Sequence, residues 1–410
     1  MFKKTKTTID YPLFFTVAFL IIFGMIMISS ISIYSSYKLT SSQVYMGLIE
    51  NPYNYFYVKR NILHVITGFI LLVIVVKIPT KFFEKASGFF LAITTLLLGY
   101  VHFFGATYKG AKGWIDIPLL PFNIQPTELL KLSLILFLAY FFKKNIKYIK
   151  SFEKGFLPFL AILVFFVIIV GLQPDFGTVM VITPIAFVMF FLAGANVRYL
   201  TVLALIGVLG AFSIYSAGKY ETKADRNKLS YITERIDFFL EDSKELFNPK
   251  STINSDKTYQ TKQALITIGS GGATGLGFGN SIQKFGYLPE VQGDFIFSVI
   301  IEELGFTGGF ILLSLYLFIA YRGFYIYSKV QDIFSKLTAA GISTWFIIQA
   351  FINIGVNLNI MPLTGITLPF ISYGGSSLLT LMLALGVLLG ISREVHKKSK
   401  FARLKRRNIF

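Results

Sequence analysis

Long apolar runs, separated by short polar stretches, recur along almost the whole chain. About ten of these runs approach the ~20 residues that a helix needs to cross a bilayer. They cover residues 11–34, 60–77, 83–103, 129–142, 156–172, 177–194, 199–217, 295–320, 338–357 and 377–392. The pattern predicts an all-α polytopic integral membrane protein with about ten transmembrane helices. Residues 1–410 are expected to form a single membrane domain.

Composition agrees with this pattern and limits the chemistry. Hydrophobic residues make up 54% of the chain and the mean hydropathy is +0.65, values well above those of soluble domains. The chain has no cysteine, which excludes disulfides and thiol chemistry. Its three histidines, His64, His102 and His396, are far apart in sequence, so a histidine-based metal centre is not expected. Acid–base chemistry therefore falls to carboxylates.

The distribution of charge predicts the orientation in the membrane. The formal net charge is +18, and basic residues concentrate at the chain ends and in short loops, as at 3–6 and 397–407. This is typical of cytoplasmic loops in a membrane protein and does not indicate nucleic-acid binding. Both termini are therefore predicted to be cytoplasmic. Residues 218–294 are predicted to form a large extracytoplasmic loop between spans seven and eight, and the helices to contact inner-membrane lipids.

One polar run interrupts the apolar pattern near the end of the chain. Residues 368–377 read Leu-Pro-Phe-Ile-Ser-Tyr-Gly-Gly-Ser-Ser and lie between two predicted spans. Glycine-rich backbone at membrane depth is tolerated only where it faces protein or a wet cavity. The run therefore predicts a binding site that includes Ser372, Gly374, Gly375 and Ser376. The alternative is a flexible loop between two helices.

Two carboxylates lie at predicted helix starts. Glu128 follows a proline at the start of the fourth span, and Lys131 lies three residues further on the same helix face. This pair is either part of a site or a simple intrahelical ion pair. Asp175 follows Pro174 between spans five and six, where it is either a site residue or an ordinary helix cap.

The strongest acidic candidate is Asp294, at the start of the eighth span. A carboxylate that faces the bundle interior there has limited hydration and is typical of a functional site, although helix capping is the alternative. Glu302 falls near the same helix face and is expected to line the same cavity, unless it forms a structural salt bridge. The preceding glycine-rich run 269–281 is expected to present backbone amides to a phosphate or sugar.

Taken in order, these segments resemble the SEDS family (shape, elongation, division and sporulation) of peptidoglycan glycosyltransferases, and the resemblance covers nearly the whole chain. Its branches are the division-associated FtsW type and the elongation-associated RodA type, and residues 279–284 and 353–357 look closer to the FtsW type. The motifs that carry the resemblance are Gly110-Ala111-Lys112, Gln125 to Glu128 with Lys131, Gln173 to Thr178, Ile268 to Gly272, Tyr287 to Glu290, Asp294 to Phe297, Glu302 to Gly305 and Leu368 to Ser377.

The resemblance implies the SEDS fold in the bacterial cytoplasmic membrane and polymerisation of lipid II with inversion at the anomeric carbon. It implies that Asp294 is the general base and that Arg60 and Lys131 contact the pyrophosphate. A divalent cation, Mg or Mn, held by Glu128 or Asp175 is expected to share that last role, and no organic cofactor is expected. The expected protein partner is a class B penicillin-binding protein, a transpeptidase.

Two other functions are compatible with the sequence. A flippase or carrier would move a lipid-linked sugar without chemistry, and it would need binding groups near the bilayer midplane with gates on both faces. The polar motifs of this chain instead collect on one predicted side of the membrane. A scaffold that recruits a cell-wall synthase is the third possibility, but it does not need Asp294.

Overall fold

The computed structural model describes residues 9–108, 111–116, 123–220 and 256–407, together with positions 237 and 239. Within these residues the chain is almost entirely helical. The helices are α1 (Tyr11–Ile31), α2 (Ile33–Tyr45), α3 (Phe56–Lys77), α4 (Thr80–Phe104), α5 (Pro126–Lys144), α6 (Leu157–Gly171), α7 (Phe176–Leu192), α8 (Val197–Tyr220), α9 (Asp256–Gly271), α10 (Ile296–Lys329), α11 (Ile333–Asn357) and α12 (Gly375–Arg407). A small antiparallel hairpin joins β1 (Ala106–Tyr108) to β2 (Ala111–Trp114).

The helices coincide with the predicted spans. Each of the ten predicted runs overlaps one helix of the described chain, and the first run also reaches the start of α2. By length and composition, seven helical segments within the described residues are apolar enough to cross a membrane, and two shorter apolar helices, Phe176–Leu192 and Val197–Gly210, accompany them. The protein is therefore a multi-pass α-helical membrane protein, as predicted.

The predicted loop at 218–294 is only partly described. Apart from positions 237 and 239, residues 221–255 lie outside the described part of the chain. The remainder is more structured than a loop, because α9 occupies Asp256–Gly271 and a single 3-10 turn forms at Gln283–Phe285. The polar residues of α9 hide it from a search for long apolar runs.

Two helices form the centre of the bundle. In the apolar 18-residue stretches of α11 and α12, 83% of the residues are buried, whereas the share is 28% in the corresponding stretches of α3 and α4. The outer helices therefore present much of their surface to lipid, while α11 and α12 are enclosed by protein. Packing of α11 against α5, α7 and α10 buries the large side chains of Trp345 and Phe346 completely. Polar side chains on α11 consequently need partners within the protein.

Helix α10 is broken at Gly305, whose φ of 69° lies in the left-handed region. The break frees the carbonyl groups of Glu302 and Glu303 from the helix ladder. They accept hydrogen bonds from the backbone N–H groups of Leu276 and Gly277, at 2.9 and 3.0 Å. The segment after α9 thus replaces the hydrogen bonds that the helix loses, which satisfies backbone groups that would be costly to leave unpaired.

The glycine-rich run 269–281 serves this contact and does not line the candidate site described below. A Cβ atom on Gly271 would lie 2.0 Å from the Ile301 carbonyl oxygen, and one on Gly275 would lie 2.2 Å from the Glu303 carbonyl oxygen. Only glycine allows two backbones to approach so closely. The expectation that these glycines present amides to a substrate is therefore wrong.

A buried ion pair lies next to the break. Lys284 Nζ is 3.0 Å from Glu303 Oε1, and both side chains are almost fully buried. The Glu302 carboxylate accepts hydrogen bonds from the Ser281 hydroxyl and from the Ile282 N–H. Glu302 is consequently part of this structural network, and the expectation that it lines the same cavity as Asp294 is wrong. The salt-bridge alternative describes Glu303, whereas Glu302 is held by hydrogen bonds from Ser281 and Ile282.

Candidate active site

A cavity of about 670 Å³ lies between the first turns of α3, α5 and α7 and the segments that precede α10 and α12. Three carboxylates from separate motifs, Glu128, Asp175 and Asp294, line it together with Arg60 and Lys131. The structure thus brings the predicted acids and cations to one cavity, although more than two hundred residues separate Arg60 from Asp294 in the chain.

Asp294 is half-buried and fixed through its backbone. Its carbonyl oxygen accepts hydrogen bonds from the side-chain amides of Asn353 and Asn357, both at 2.8 Å. Asn357 Oδ1 accepts from Ser298 N–H and Oγ–H, at 3.1 and 2.7 Å. The Asn357 side chain thus bonds the first turn of α10, whose N-cap residue Phe295 makes no side-chain hydrogen bond, and helix capping by Asp294 stays the alternative to a functional role.

The carboxylate of Asp294 faces the segment that follows α11. A Cβ atom on Gly365 would lie 3.8 Å from Asp294 Oδ2, and Gly365 has a φ of 73°. Asn353 Nδ2 also donates to the Ile366 carbonyl oxygen at 2.8 Å. One amide therefore holds both the Asp294 backbone and the segment opposite it.

Three buried amides form a polar stripe along α11, and sequence analysis did not identify its role. Gln349, Asn353 and Asn357 are spaced four residues apart, and each is at most 1% exposed. Gln349 Oε1 accepts from Lys131 Nζ at 3.1 Å, and Gln349 Nε2 donates to the Thr367 carbonyl oxygen at 3.1 Å. The four-residue spacing of amides in an apolar helix was the available signal. We call these three residues the amide stripe.

Lys131 is buried within this network. Its side chain is only 2% exposed, and Nζ lies 2.8 Å from Glu128 Oε1 and 5.3 Å from the ring centre of Trp345. The predicted ion pair is therefore present and lines the cavity. Glu128 Oε2 is buried and has no hydrogen-bond partner within the described chain.

Asp175 caps α7. Its two carboxylate oxygens accept from Thr178 N–H at 2.9 Å and from Thr178 Oγ1 at 2.8 Å. The capping interpretation is therefore correct in geometry, and the same carboxylate also lines the cavity. A Cβ on Gly177 would lie 2.9 Å from the Thr364 carbonyl oxygen, so this helix start presses against the segment that faces Asp294.

The run 372–376 divides into a lining part and a supporting part. Gly374, Gly375 and Ser376 line the cavity. Ser376 Oγ also accepts from the backbone N–H of Gln125 at 3.0 Å. Ser372 does not line it; its hydroxyl donates to the Gly293 carbonyl oxygen at 2.7 Å and supports the residue before Asp294. The predicted binding role of Ser372 is thus replaced by a structural one.

One wall of the cavity comes from the first two turns of α3. Tyr57, Arg60 and His64 line it and follow the spacing of a single helix face. Arg60 is exposed, and its guanidinium lies 4.6 Å above the Phe56 ring centre. Burial raises the pKa of the nearby Tyr373 phenol, an effect that Arg60 opposes. Tyr373 therefore stays protonated at neutral pH and is available as a donor.

Sequence analysis missed several lining residues that carry no isolated motif. They are Gln43, Tyr57, His64, Trp114 and Gln292. The period of α3 was the one usable signal for Tyr57 and His64.

The predicted cation ligands fit a metal ion only in part. Within the described residues, no group of three or more His, Cys, Asp or Glu side chains could enclose a metal. Mg²⁺ commonly uses one or two protein carboxylates and takes its other ligands from substrate phosphates and water. The orphaned Glu128 Oε2 and the rim carboxylate of Asp175 fit that mode.

The fold and the site define a polytopic membrane protein with a polar cavity that combines carboxylates and cations. A sequence model of the FtsW/RodA/SpoVE family, described as cell cycle proteins, matches residues 11–397. The chain belongs to this family, which confirms the SEDS resemblance.

Relatives across the family are similar over their whole length. Stage V sporulation protein E of Bacillus subtilis is 36% identical over 95% of this chain and 98% of the relative. A probable peptidoglycan glycosyltransferase FtsW of Bacillus subtilis is 36% identical over 98% and 95%. The FtsW of Wigglesworthia glossinidia brevipalpis, described in the same words, is 35% identical over 97% and 96%.

Solved structures share the fold. The crystal structure of the rod shape determining protein RodA of Thermus thermophilus is 25% identical and superposes with a TM-score of 0.62, over 94% of this chain and 97% of that one. A chain from a peptidoglycan synthase complex that coordinates polymerisation and crosslinking has a TM-score of 0.72 at 24% identity, over 94% and 98%.

Proposed function

We propose that this protein is a peptidoglycan glycosyltransferase that polymerises lipid II into glycan strands in the bacterial cytoplasmic membrane. The observation that carries the proposal is the single cavity in which Asp294, Arg60 and Lys131 meet. Curated relatives described as probable peptidoglycan glycosyltransferases, about 35% identical over nearly the whole chain, support it. Sporulation and division relatives match equally well, so the division branch stays a prediction.

The reaction needs a base and a stabilised leaving group. The 4-hydroxyl of an acceptor sugar attacks the anomeric carbon of a donor, and the new C–O bond forms as the bond to the lipid pyrophosphate breaks. Configuration changes from α to β, and the pyrophosphate leaves with the electron pair. Asp294 accepts the hydroxyl proton, as the base does in inverting sugar chemistry. Arg60 and Lys131 stabilise the charge on the pyrophosphate.

The amide stripe fixes the positions of these groups relative to one another. Through Gln349 it bonds Lys131, and through Asn353 and Asn357 it bonds the Asp294 backbone. Groups fixed by buried hydrogen bonds keep a reactive geometry without reorganisation. The site is therefore preorganised along α11.

A polymerisation assay tests the proposal. Purified protein is incubated with lipid II, with and without a class B penicillin-binding protein, and glycan strands are separated by length. Strands are the expected product. Transport of lipid II across vesicle membranes without any polymer would instead support the flippase alternative. The fold match to a chain of a peptidoglycan synthase complex supports a transpeptidase partner.

A divalent cation is expected to assist the leaving group. When bound, Mg or Mn would neutralise the pyrophosphate, with Glu128 or Asp175 as protein ligands. Chelator should lower the rate of polymerisation, and added Mg or Mn should restore it. In the Glu128→Gln variant, a higher cation concentration should be needed to restore half of the polymerisation rate. A rate unaffected by chelator would remove the cation from the proposal.

Orientation is tested by labelling single cysteines, since the chain has none of its own. We propose that α9 lies outside and the α3–α4 turn inside. In intact cells, Lys262→Cys should react with a membrane-impermeant thiol reagent, whereas Lys81→Cys should react only after lysis; both positions are exposed. Labelling of the second variant alone in intact cells would reverse the topology.

A further inference from the structure

Two buried polar side chains line the cavity on the two segments that meet at Asp294. Gln292 is 6% exposed and Thr364 is 8% exposed, and both line the cavity. Gln292 Oε1 and Thr364 Oγ1 have no hydrogen-bond partner among the residues that the structure describes. A buried polar atom is costly to leave unpaired, so such an atom in a cavity wall marks a place for water or for a ligand.

Gln292 belongs to the turn that precedes Asp294. The Gly293 N–H donates to the Glu290 carbonyl oxygen at 2.9 Å, and Glu290 has a left-handed φ of 55°. The Gln292 carbonyl oxygen accepts from the Tyr373 N–H at 2.8 Å. These two bonds fix the backbone two residues before the proposed base, and the position of the Gln292 side chain follows from them.

Thr364 belongs to the opposite segment. It precedes Gly365, the residue that faces the carboxylate of the proposed base. The Thr364 carbonyl oxygen presses against α7, where a Cβ atom on Gly177 would lie 2.9 Å from it. On the other side, Asn353 Nδ2 donates to the Ile366 carbonyl oxygen at 2.8 Å. This segment is therefore held between α7 and α11, and its unpartnered hydroxyl group is held with it.

The two unpartnered atoms suit the hydroxyl groups of a sugar better than a pyrophosphate. An amide oxygen such as Gln292 Oε1 only accepts hydrogen bonds, and the oxygens of a pyrophosphate also only accept. A sugar hydroxyl can donate to the amide oxygen, and it can donate to or accept from the Thr364 hydroxyl. On a hexose ring the 4-hydroxyl lies between the 3-hydroxyl and the 6-hydroxymethyl group. A 4-hydroxyl at Asp294 thus brings one further hydroxyl group on each side.

We infer that Gln292 and Thr364 bind the acceptor sugar, each through one of the two hydroxyl groups that flank the attacking 4-hydroxyl. The inference rests on the proposed function and adds to it the residues that select the acceptor. An acceptor without one of these hydroxyl groups leaves a buried polar atom of the protein unpaired. Sites of this kind discriminate strongly against a substrate that lacks the hydroxyl.

Coupling of one donor to one acceptor tests the inference. The donor is a lipid II analogue whose terminal sugar lacks the 4-hydroxyl, so that it cannot act as an acceptor. The acceptors are lipid II and two analogues whose terminal sugar lacks the 3-hydroxyl or the 6-hydroxyl. The initial rate of formation of the tetrasaccharide that carries the 4-deoxy sugar is measured by mass spectrometry. For the wild type, kcat/KM should be about tenfold lower with either deoxy acceptor than with lipid II.

Gln292→Met and Thr364→Val each remove one polar atom and keep the approximate shape of the side chain. Each variant should lose the discrimination against one deoxy acceptor and keep the discrimination against the other, because a missing hydroxyl costs little where its partner is also missing. The matched controls are Gln173→Met and Thr338→Val. They remove a buried amide oxygen and a buried hydroxyl that also lack partners in the described chain but lie outside the cavity lining. Both controls should discriminate like the wild type.

The outcomes separate the inference from the proposed function. A wild type that couples none of the acceptors would reject the proposed function and the inference with it. A wild type that couples the deoxy acceptors as well as lipid II would reject the inference alone. The same holds if the Gln292 and Thr364 variants keep full discrimination against both analogues, because the two atoms would then bind only water. Loss of discrimination in the control variants would also overturn the inference, since any loosening of the bundle would then produce the effect.

Discussion

Asp294→Asn is expected to abolish glycan polymerisation while the protein still folds and binds lipid II. The amide keeps the shape of the side chain but cannot accept the hydroxyl proton, and loss of a general base typically lowers the rate by about 10² to 10⁴. Structural damage should be small, because the backbone carbonyl of residue 294 and the first turn of α10 are held by Asn353 and Asn357. The measurements are the polymerisation rate, the elution profile and lipid II binding.

The result distinguishes a base from a structural carboxylate. A monodisperse variant that makes strands at nearly the wild-type rate would show that Asp294 is not the base. The search would then move to Asp175 and Glu128, the other carboxylates in the cavity. Asn353→Ala is a useful companion, because it removes a bond to the Asp294 backbone and leaves the carboxylate in place.

Lys131→Met should destabilise the protein and stop polymerisation, and a second substitution separates the two effects. Removing one partner of a buried ion pair typically costs about 3–5 kcal/mol, because the other charge is left unpaired. The double variant Lys131→Met/Glu128→Gln has no unpaired charge and should regain most of the lost thermal stability. It should stay inactive, because the cavity still lacks the Lys131 ammonium group that faces the pyrophosphate.

The chain supplies a matched control for this experiment. Lys284 and Glu303 form a second buried ion pair, at 3.0 Å, outside the cavity lining. The double variant Lys284→Met/Glu303→Gln also has no unpaired charge, so it should be about as stable as the Lys131→Met/Glu128→Gln variant, and it should keep polymerisation. If the Lys131/Glu128 double variant is both stable and active, the pair is only structural and the proposed role of Lys131 in catalysis is wrong.

The helices were predictable because a bilayer imposes one length and one polarity on every span. The joint cavity of Glu128, Asp175 and Asp294 was predictable because each lies at a helix start on one predicted side of the membrane. A helix at 256–271 was not predicted, for the opposite reason. A polar helix such as α9 carries no apolar run that would mark it.

The role of a residue that suits two kinds of contact could not be predicted from the sequence. Glycines such as Gly271 and Gly275 permit close approach of either a ligand or another backbone, and only the fold shows that α10 is the neighbour. The Ser372 hydroxyl likewise suits a sugar or a carbonyl group. The amide stripe was visible as a spacing on α11, but its partners lie far away in the chain.

The amide stripe also constrains how the protein is made. As α11 leaves the ribosome, Gln349, Asn353 and Asn357 enter the insertion machinery before the 364–367 segment has been synthesised, so two of their acceptors do not yet exist. Three bare amides in hydrocarbon oppose release of a single helix into lipid. We expect α11 to remain at the insertion machinery until α10 and the following segment join it. The positions of the catalytic groups relative to one another would then be fixed during biogenesis, while the last three helices integrate into the membrane.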